Sequence, residues 1–158
     1  MILAGKRANE LGIPVVLDPV AAGGTTIRRE SSARLLEEVH FTAIRGNASE
    51  IRALAGQMSR GSGVDVAAWD AITAENLPQS VGLISELAQK TGAVIAVSGV
   101  MDVVSDGKKT ILLHNGCATM ARITGSGCML TTLIGGFCAA VPAPPFEAAC
   151  AAMAAMGI

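Results

Sequence analysis

Two periodicities alternate along the chain. Three short β-branched runs, IPVVLDPV (13–20), FTAIRG (41–46) and AVIAVSG (93–99), are apolar almost throughout. That pattern predicts strands buried on both faces of a parallel sheet. Between them lie segments with helical spacing. Residues 2–11 predict a helix closed by Gly12. RRESSARLLEEV (28–39) places apolar residues at 33, 35, 36 and 39, one side of a helix. SEIRALAG (49–56) follows Asn47, a good N-cap, with Glu50 three residues on as a capping-box partner, and Gly56 is expected to close it. PQSVGLISELAQKTG (78–92) has proline near its start and glycine at its end, the usual asymmetry of a helix. DVVSDGKKTILLH (102–114) predicts a hairpin turning at Asp106-Gly107. ITGSGCMLTTLIGGF (123–137) predicts a glycine turn and then a buried helix with Cys128 in its first turn. Pro142, Pro144 and Pro145 separate it from a last helix, and residues 57–77 predict a long loop.

The order β-α-β-α-α-β, hairpin, helices implies an α/β fold with a mainly parallel sheet, and residues 1–158 form one domain without internal repeats. The chain opens inside a helix and closes on EAACAAMAAMGI, an uncapped apolar helix apart from its one glutamate. A domain incomplete at both ends is the expectation from that pattern.

Composition narrows the picture. The chain is 51% hydrophobic but only 3% aromatic, so its core must be built from Ala, Val, Leu, Ile and Met. A net charge of −1 predicts neither a nucleic-acid partner nor an anionic membrane surface. The longest apolar stretch, Met129 to Val141, is too short for a bilayer, which needs about 20 residues. Cys117, Cys128, Cys138 and Cys150 form no C-x-x-C pair, and His40 and His114 lie far apart, so a zinc site is not expected. Reduced thiols in a cytoplasmic protein are.

Ligands of open α/β sheets sit at the carboxyl ends of the strands. Asp18, then Arg45 with Asn47 and Glu50, then Ser98-Gly99 fall at three such ends, and TGSGC follows the hairpin. Glycines 125 and 127 permit close backbone approach to a ligand, and the free N–H groups of a helix start favour an anion. A plain loop ahead of one more buried cysteine is the alternative. Asp18 suits either an Asx-turn or a Mg²⁺ site. Glu50 suits the capping box or the same metal. Arg45, on an apolar strand, needs an anionic partner: Asp18, Glu50 or a phosphate. Asp102 and Asp106 are expected only to shape the hairpin, and the C-terminal methionines to fill the core. The patterns G-x-x-x-x-G-K-[ST], G-x-G-x-x-G after a strand and G-x-S-x-G are absent.

VVLDPVAAGGTTIRRE, FTAIRGNASEIRALAG, AVIAVSGVMDVVSDG and ITGSGCMLTTLIGGFCA, in that order, resemble the hydroxyethylthiazole kinase family of the ribokinase-like superfamily. The resemblance implies a ribokinase-like α/β/α sandwich that transfers the γ-phosphoryl group of ATP to 4-methyl-5-(2-hydroxyethyl)thiazole in thiamine biosynthesis and salvage. It implies a homotrimer with sites at the subunit interfaces. It makes Arg45, Ser98 and Gly127 nucleotide ligands and places Asp18 and Glu50 near the phosphates and Mg²⁺. Gly125 matches a thiazole-contacting position, and Cys128 stands where most ribokinase-like enzymes carry an aspartate base. Family domains begin before Met1 and continue past Ile158, so part of the alcohol pocket is expected outside this chain. Two rival readings stand beside this one. Cys128 could be an acyl-transfer nucleophile, which needs a histidine base such as His114. A fragment that only binds nucleotide or assembles is the other.

Overall fold

A computed structural model describes residues 1–58, 71–140 and 142–157. The elements follow the order α1 (Ile2–Glu10), β1 (Val16–Leu17), α2 (Thr26–Glu38), β2 (Ala43–Asn47), α3 (Ala48–Met58), α4 (Leu77–Thr91), β3 (Val94–Ser98), β4 (Asp102–Ser105) and β5 (Thr110–Leu113). A 3₁₀ segment, Ala118–Arg122, then precedes α5 (Ser126–Ala140) and α6 (Pro145–Met156). The sheet order is β1-β2-β3-β4-β5. The first three strands run parallel, and β4 and β5 reverse direction one after the other.

Side-chain alternation divides the core into two. Ile44, Ile95, Val97 and Val103 point toward α1–α4, where they pack with Leu35, Ile51, Leu54, Ile84 and Leu87. Ala43, Val94, Ala96 and Val104 point the other way, against Leu130 and Ile134 of α5 and Phe146, Ala149, Ala152 and Met153 of α6. The result is a three-layer α/β/α sandwich. Its second face is lined by small strand residues, which keeps α5 and α6 close to the sheet. Arg45 and Ser98 lie on that same face by the period of two, because Arg45 pairs with Ala96 and Ser98 with Asn47.

Local signals set most boundaries. Gly12 takes φ +67° after α1, and the bonds Ile13 N–H to Ala8 O and Gly12 N–H to Asn9 O complete a Schellman close. Asn47 and Glu50 form the reciprocal box: Glu50 N–H donates to Asn47 Oδ1, and Asn47 N–H donates to Glu50 Oε2, each at 2.9 Å. Asp106 Oδ1 accepts from the backbone of Lys108 and Lys109 and shapes the hairpin turn.

Three expectations are corrected, and the loop is met where it is described. The run 13–20 yields only the two-residue β1. Pro14 and Pro19 bracket it without a ladder donor, and Ala22 N–H already turns back to Pro19 O. Gly56 does not cap α3 but lies inside it, with open space where a side chain would stand. Of the expected loop 57–77, residues 59–70 lie outside the described residues, while residues 71–76 turn into α4 around Asn76, whose Oδ1 accepts Thr73 N–H. Finally, α5 is not a buried helix. Leu130 and Ile134 are buried, but Cys128 is exposed and Met129 is 52% exposed. Its small, uncharged residues are compatible with either environment, so apolar composition alone did not decide burial.

The cysteines divide in the same way. Cys117 and Cys128 are exposed, whereas Cys138 and Cys150 are half-buried. Burial raises the Cys138 thiol pKa above its ordinary value. Burial first, and then the charges of Glu147 and Asp106, push Cys150 from 9.0 to about 11. A folded thiol that keeps its proton where the unfolded chain has lost it makes stability fall as pH rises from 9.0 toward 11. Iodoacetamide at about pH 8 should therefore modify Cys117 and Cys128 first, because thiolate and access control the reaction. Peptide mapping by mass spectrometry over time checks this, and early labelling of Cys150 would contradict it.

Candidate active site

The centre of the site is Arg45. It projects from β2 on the α5 face and is nearly buried, with 11% of its side chain exposed. Nη1 lies 3.7 Å from Asp18 Oδ2, just beyond β1. Nη2 donates to Ser98 Oγ at the end of β3. Nε is buried and has no hydrogen-bond partner among the described residues. Of the three anions the sequence offered to Arg45, Asp18 is its ion pair. Glu50 is engaged elsewhere: Oε1 accepts Ala21 N–H at 2.9 Å while Oε2 closes the capping box. Glu50 thus ties the loop after β1 to the start of α3.

The first turn of α5 covers the guanidinium. A methyl group built on Gly127 would stand 2.5 Å from Arg45 Nη1. Gly127 is therefore required for close approach as much as for backbone freedom. Gly125 is required for its backbone: φ is +87°, and its carbonyl accepts the N–H of Met129 to start the helix. As in any helix start, the N–H groups of Gly127 and Cys128 have no acceptor within the helix. Thr131, one turn further on, donates to Asp18 Oδ2 at 2.8 Å and lies 3.1 Å from Gly127 O. Strand β1, strand β2, strand β3 and helix α5 are thus joined through one arginine and one aspartate.

A cavity of about 680 Å³ opens beside this cluster. Arg45, Ser98 and Gly127 all line it, so the three expected nucleotide ligands come together. Asp18 stands behind Arg45. Cys128 and Gly125 are not part of the cavity wall; both are exposed at the outer side of the α5 turn. No hydrogen bond joins the Cys128 thiol to a histidine among the described residues, which leaves the acyl-transfer reading without its base. No cluster of three or more His, Cys, Asp or Glu suited to a metal occurs among the described residues.

Two residues were missed in the sequence. Asp102, expected only to shape the hairpin, lines the cavity, and its Oδ1 accepts Gly99 N–H at 2.9 Å. Burial raises its pKa, while the Gly99 hydrogen bond and the charge of Arg45 oppose the rise. Its position three residues past Gly99 was the available signal. Thr131 carried a weaker one, the i+4 spacing from Gly127 that sets it on the sheet-facing side of α5. The C-terminal methionines were expected as core filler. Met153 is buried in the core, yet it and Met156 also reach the cavity wall.

The sequence profile described as the hydroxyethylthiazole kinase family matches residues 1–158. A hydroxyethylthiazole kinase of Ruminiclostridium cellulolyticum is 42% identical over 100% of this chain and 56% of its own length. One from Chloroflexus aurantiacus is 45% identical over 100% of this chain and 56% of its own. The chain spans about half the length of the curated relatives it matches. Among solved structures, the hydroxyethylthiazole kinase protein of Pyrococcus horikoshii superposes with a TM-score of 0.80 at 34% identity, covering 96% of this chain and 52% of that one. The ADP complex of Bacillus subtilis pyridoxal kinase, at 23% identity and a TM-score of 0.64, covers 96% of this chain and 55% of its own, and shares the fold. Among the described residues no helix is long and apolar enough to cross a membrane. The fold is ribokinase-like, and with the profile matched from end to end, this chain belongs to the hydroxyethylthiazole kinase family.

Proposed function

We propose that this chain carries the phosphoryl-donor half of a cytoplasmic kinase. In this reading the γ-phosphoryl group of ATP passes to the primary alcohol of 4-methyl-5-(2-hydroxyethyl)thiazole, in thiamine biosynthesis and salvage. The observation that carries the reading is the near-buried Arg45 guanidinium set against Gly127 at the start of α5, both on the wall of one cavity. An anion is what both would bind.

The alcohol oxygen attacks the γ-phosphorus as the bond to the bridging oxygen of ADP breaks. Arg45 and the N–H groups of Gly127 and Cys128 hold the phosphate oxygens, because this chemistry is mainly positioning and electrostatics. Ser98 fixes the guanidinium from one side and Asp18 from the other. Gly125 leaves room for the alcohol on the outer side of the turn, where the Cys128 sulfur orients the hydroxyl and accepts its proton late.

Mg²⁺, when bound, neutralises charge between the β- and γ-phosphates. The carboxylates suit it unequally. Thr131 and Arg45 both engage Oδ2 of Asp18, so Oδ1 is the oxygen that would help to hold the ion. Both oxygens of Glu50 already accept N–H groups, so it fits only through a water. The uncharged exposed side of α5 supports a homotrimer in which a neighbouring subunit completes the alcohol pocket.

The test is a phosphorylation assay with the thiazole alcohol and Mg-ATP, run beside calorimetry with Mg-ADP. Transfer supports the proposal. Nucleotide binding without transfer identifies a chain that only binds, and the absence of both transfer and binding refutes the reading. Cys128→Ser should slow turnover by about 10²-fold without abolishing it, and a Cys128→Ala protein at full rate removes the thiol from the mechanism. Gly127→Ala should weaken Mg-ADP at least about tenfold, since the new methyl displaces the guanidinium. Displacing the guanidinium from Asp18 and Ser98 outweighs the gain of about 1 kcal/mol that alanine brings to a helix, so the variant should also melt below the parent; unchanged ADP affinity would contradict the close approach.

A further inference from the structure

One step beyond the ladder pair Val97–Val103, the register sets Ser98 of β3 opposite Asp102 of β4. The period of two turns both side chains to the α5 face, Ser98 with Ala96 and Asp102 with Val104. Arg45 stands on the same face of β2. A polar line therefore crosses the sheet from Asp18 through Arg45 and Ser98 to Asp102. Only Gly99, Val100 and Met101 connect the last two, and Val100 at the tip is 94% exposed. The tip packs on little, so the shape of this reversal depends on bonds made across its base. Gly99 N–H supplies one, donating to Asp102 Oδ1 at 2.9 Å. Asp102 is half-buried, lines the cavity and feels the charge of Arg45.

We infer that Asp102 is a positioning residue: by accepting the Gly99 N–H it holds the β3–β4 reversal so that Ser98 Oγ stays on Arg45 Nη2, and so sets the direction in which the guanidinium meets an anion. The inference rests on the nucleotide reading above for its ligand, and adds to it the group that orients Arg45 from the β4 side. The bond, not the charge, is the useful part of Asp102. A negative charge near the guanidinium opposes an incoming phosphate, and Asp18 already supplies the counter-charge. A guanidinium is a planar fork whose donors are useful only in the direction they point. Ser98 fixes that direction only while its own backbone is fixed. Gly99 is exposed, so water takes its N–H once the carboxylate is gone. The loss then shows as a looser turn rather than as an unpaired buried donor.

Calorimetry of the full chain with Mg-ADP tests this through variants. Asp102→Ala removes the acceptor and should weaken Mg-ADP by about tenfold, the size of one hydrogen bond. Asp102→Asn keeps an acceptor oxygen for Gly99 N–H without the charge, and should bind Mg-ADP at least as tightly as the parent. Equal losses in the two overturn the inference, because the charge is then what matters. Asp102→Ala added to Ser98→Ala should cost little beyond Ser98→Ala alone, since both act through one contact; losses that add overturn the route through Ser98. An Asp102→Ala protein that melts lower yet binds Mg-ADP like the parent overturns the inference as well. The Arg45 Nε–H resonance of the ligand-free protein gives a readout without nucleotide. It should move in the same direction in Asp102→Ala and Ser98→Ala, and least in Asp102→Asn. An unmoved signal in Asp102→Ala overturns the inference. The expected shifts in a chain that does not bind Mg-ADP uphold Asp102 as the group that orients Arg45 and overturn the nucleotide reading.

Discussion

A positive charge held inside a small-residue layer governs this structure. Burying a guanidinium without compensation is prohibitive, and removing one partner of a buried pair costs about 3–5 kcal/mol. Around Arg45 the chain supplies a carboxylate from Asp18, a hydroxyl from Ser98 and space at Gly127. Each comes from a different element. The charge therefore fixes where β1 ends, how β3 stands against β2, and how closely α5 approaches the sheet. Compensation is incomplete, because Nε is buried without a partner among the described residues. An arginine only partly satisfied by its own chain is suited to a site that receives an anion.

The sheet topology gives this charge its outlet. β2 and β3 run parallel and deliver Asn47 and Ser98 to one rim. The reversal into β4 then brings Gly99 to Asp102 to the cavity, and β5 carries the chain on to Asn115, Gly116, Cys117, Ala118 and Met120, which also line it. A wholly parallel sheet would need a long crossover connection after β3 in place of this short reversal.

The large elements were legible because their signals are local. Uniformly apolar runs marked the strands, and Pro78, Gly92 and the Asn47–Glu50 box marked helix ends that the structure keeps. Arg45 and Gly127 were legible for a different reason. Charge on an apolar strand and glycine at a helix start are both anomalies, and each answers the other in space. What stayed hidden depended on the opposite element. The apolar letters of α5 do not reveal that half of it faces outward. Asp102 reads as a turn former until β3 is seen to bring Gly99 and the cavity to it. Thr131 has no meaning until Asp18 lies beneath it.

That last pairing has a temporal consequence. The Asp18–Thr131 hydrogen bond joins residues 113 positions apart. Closing a loop of that length carries an entropic cost that nearby contacts do not. Helices and the β4–β5 hairpin gain their bonds early and locally. The anion cradle gains its final strut only when the first strand meets the fifth helix. During synthesis the arginine must therefore wait, half-dressed by neighbours, until nearly the whole described chain has emerged. The ring of partners around Arg45 is then completed in one late step, as a report that both halves have docked.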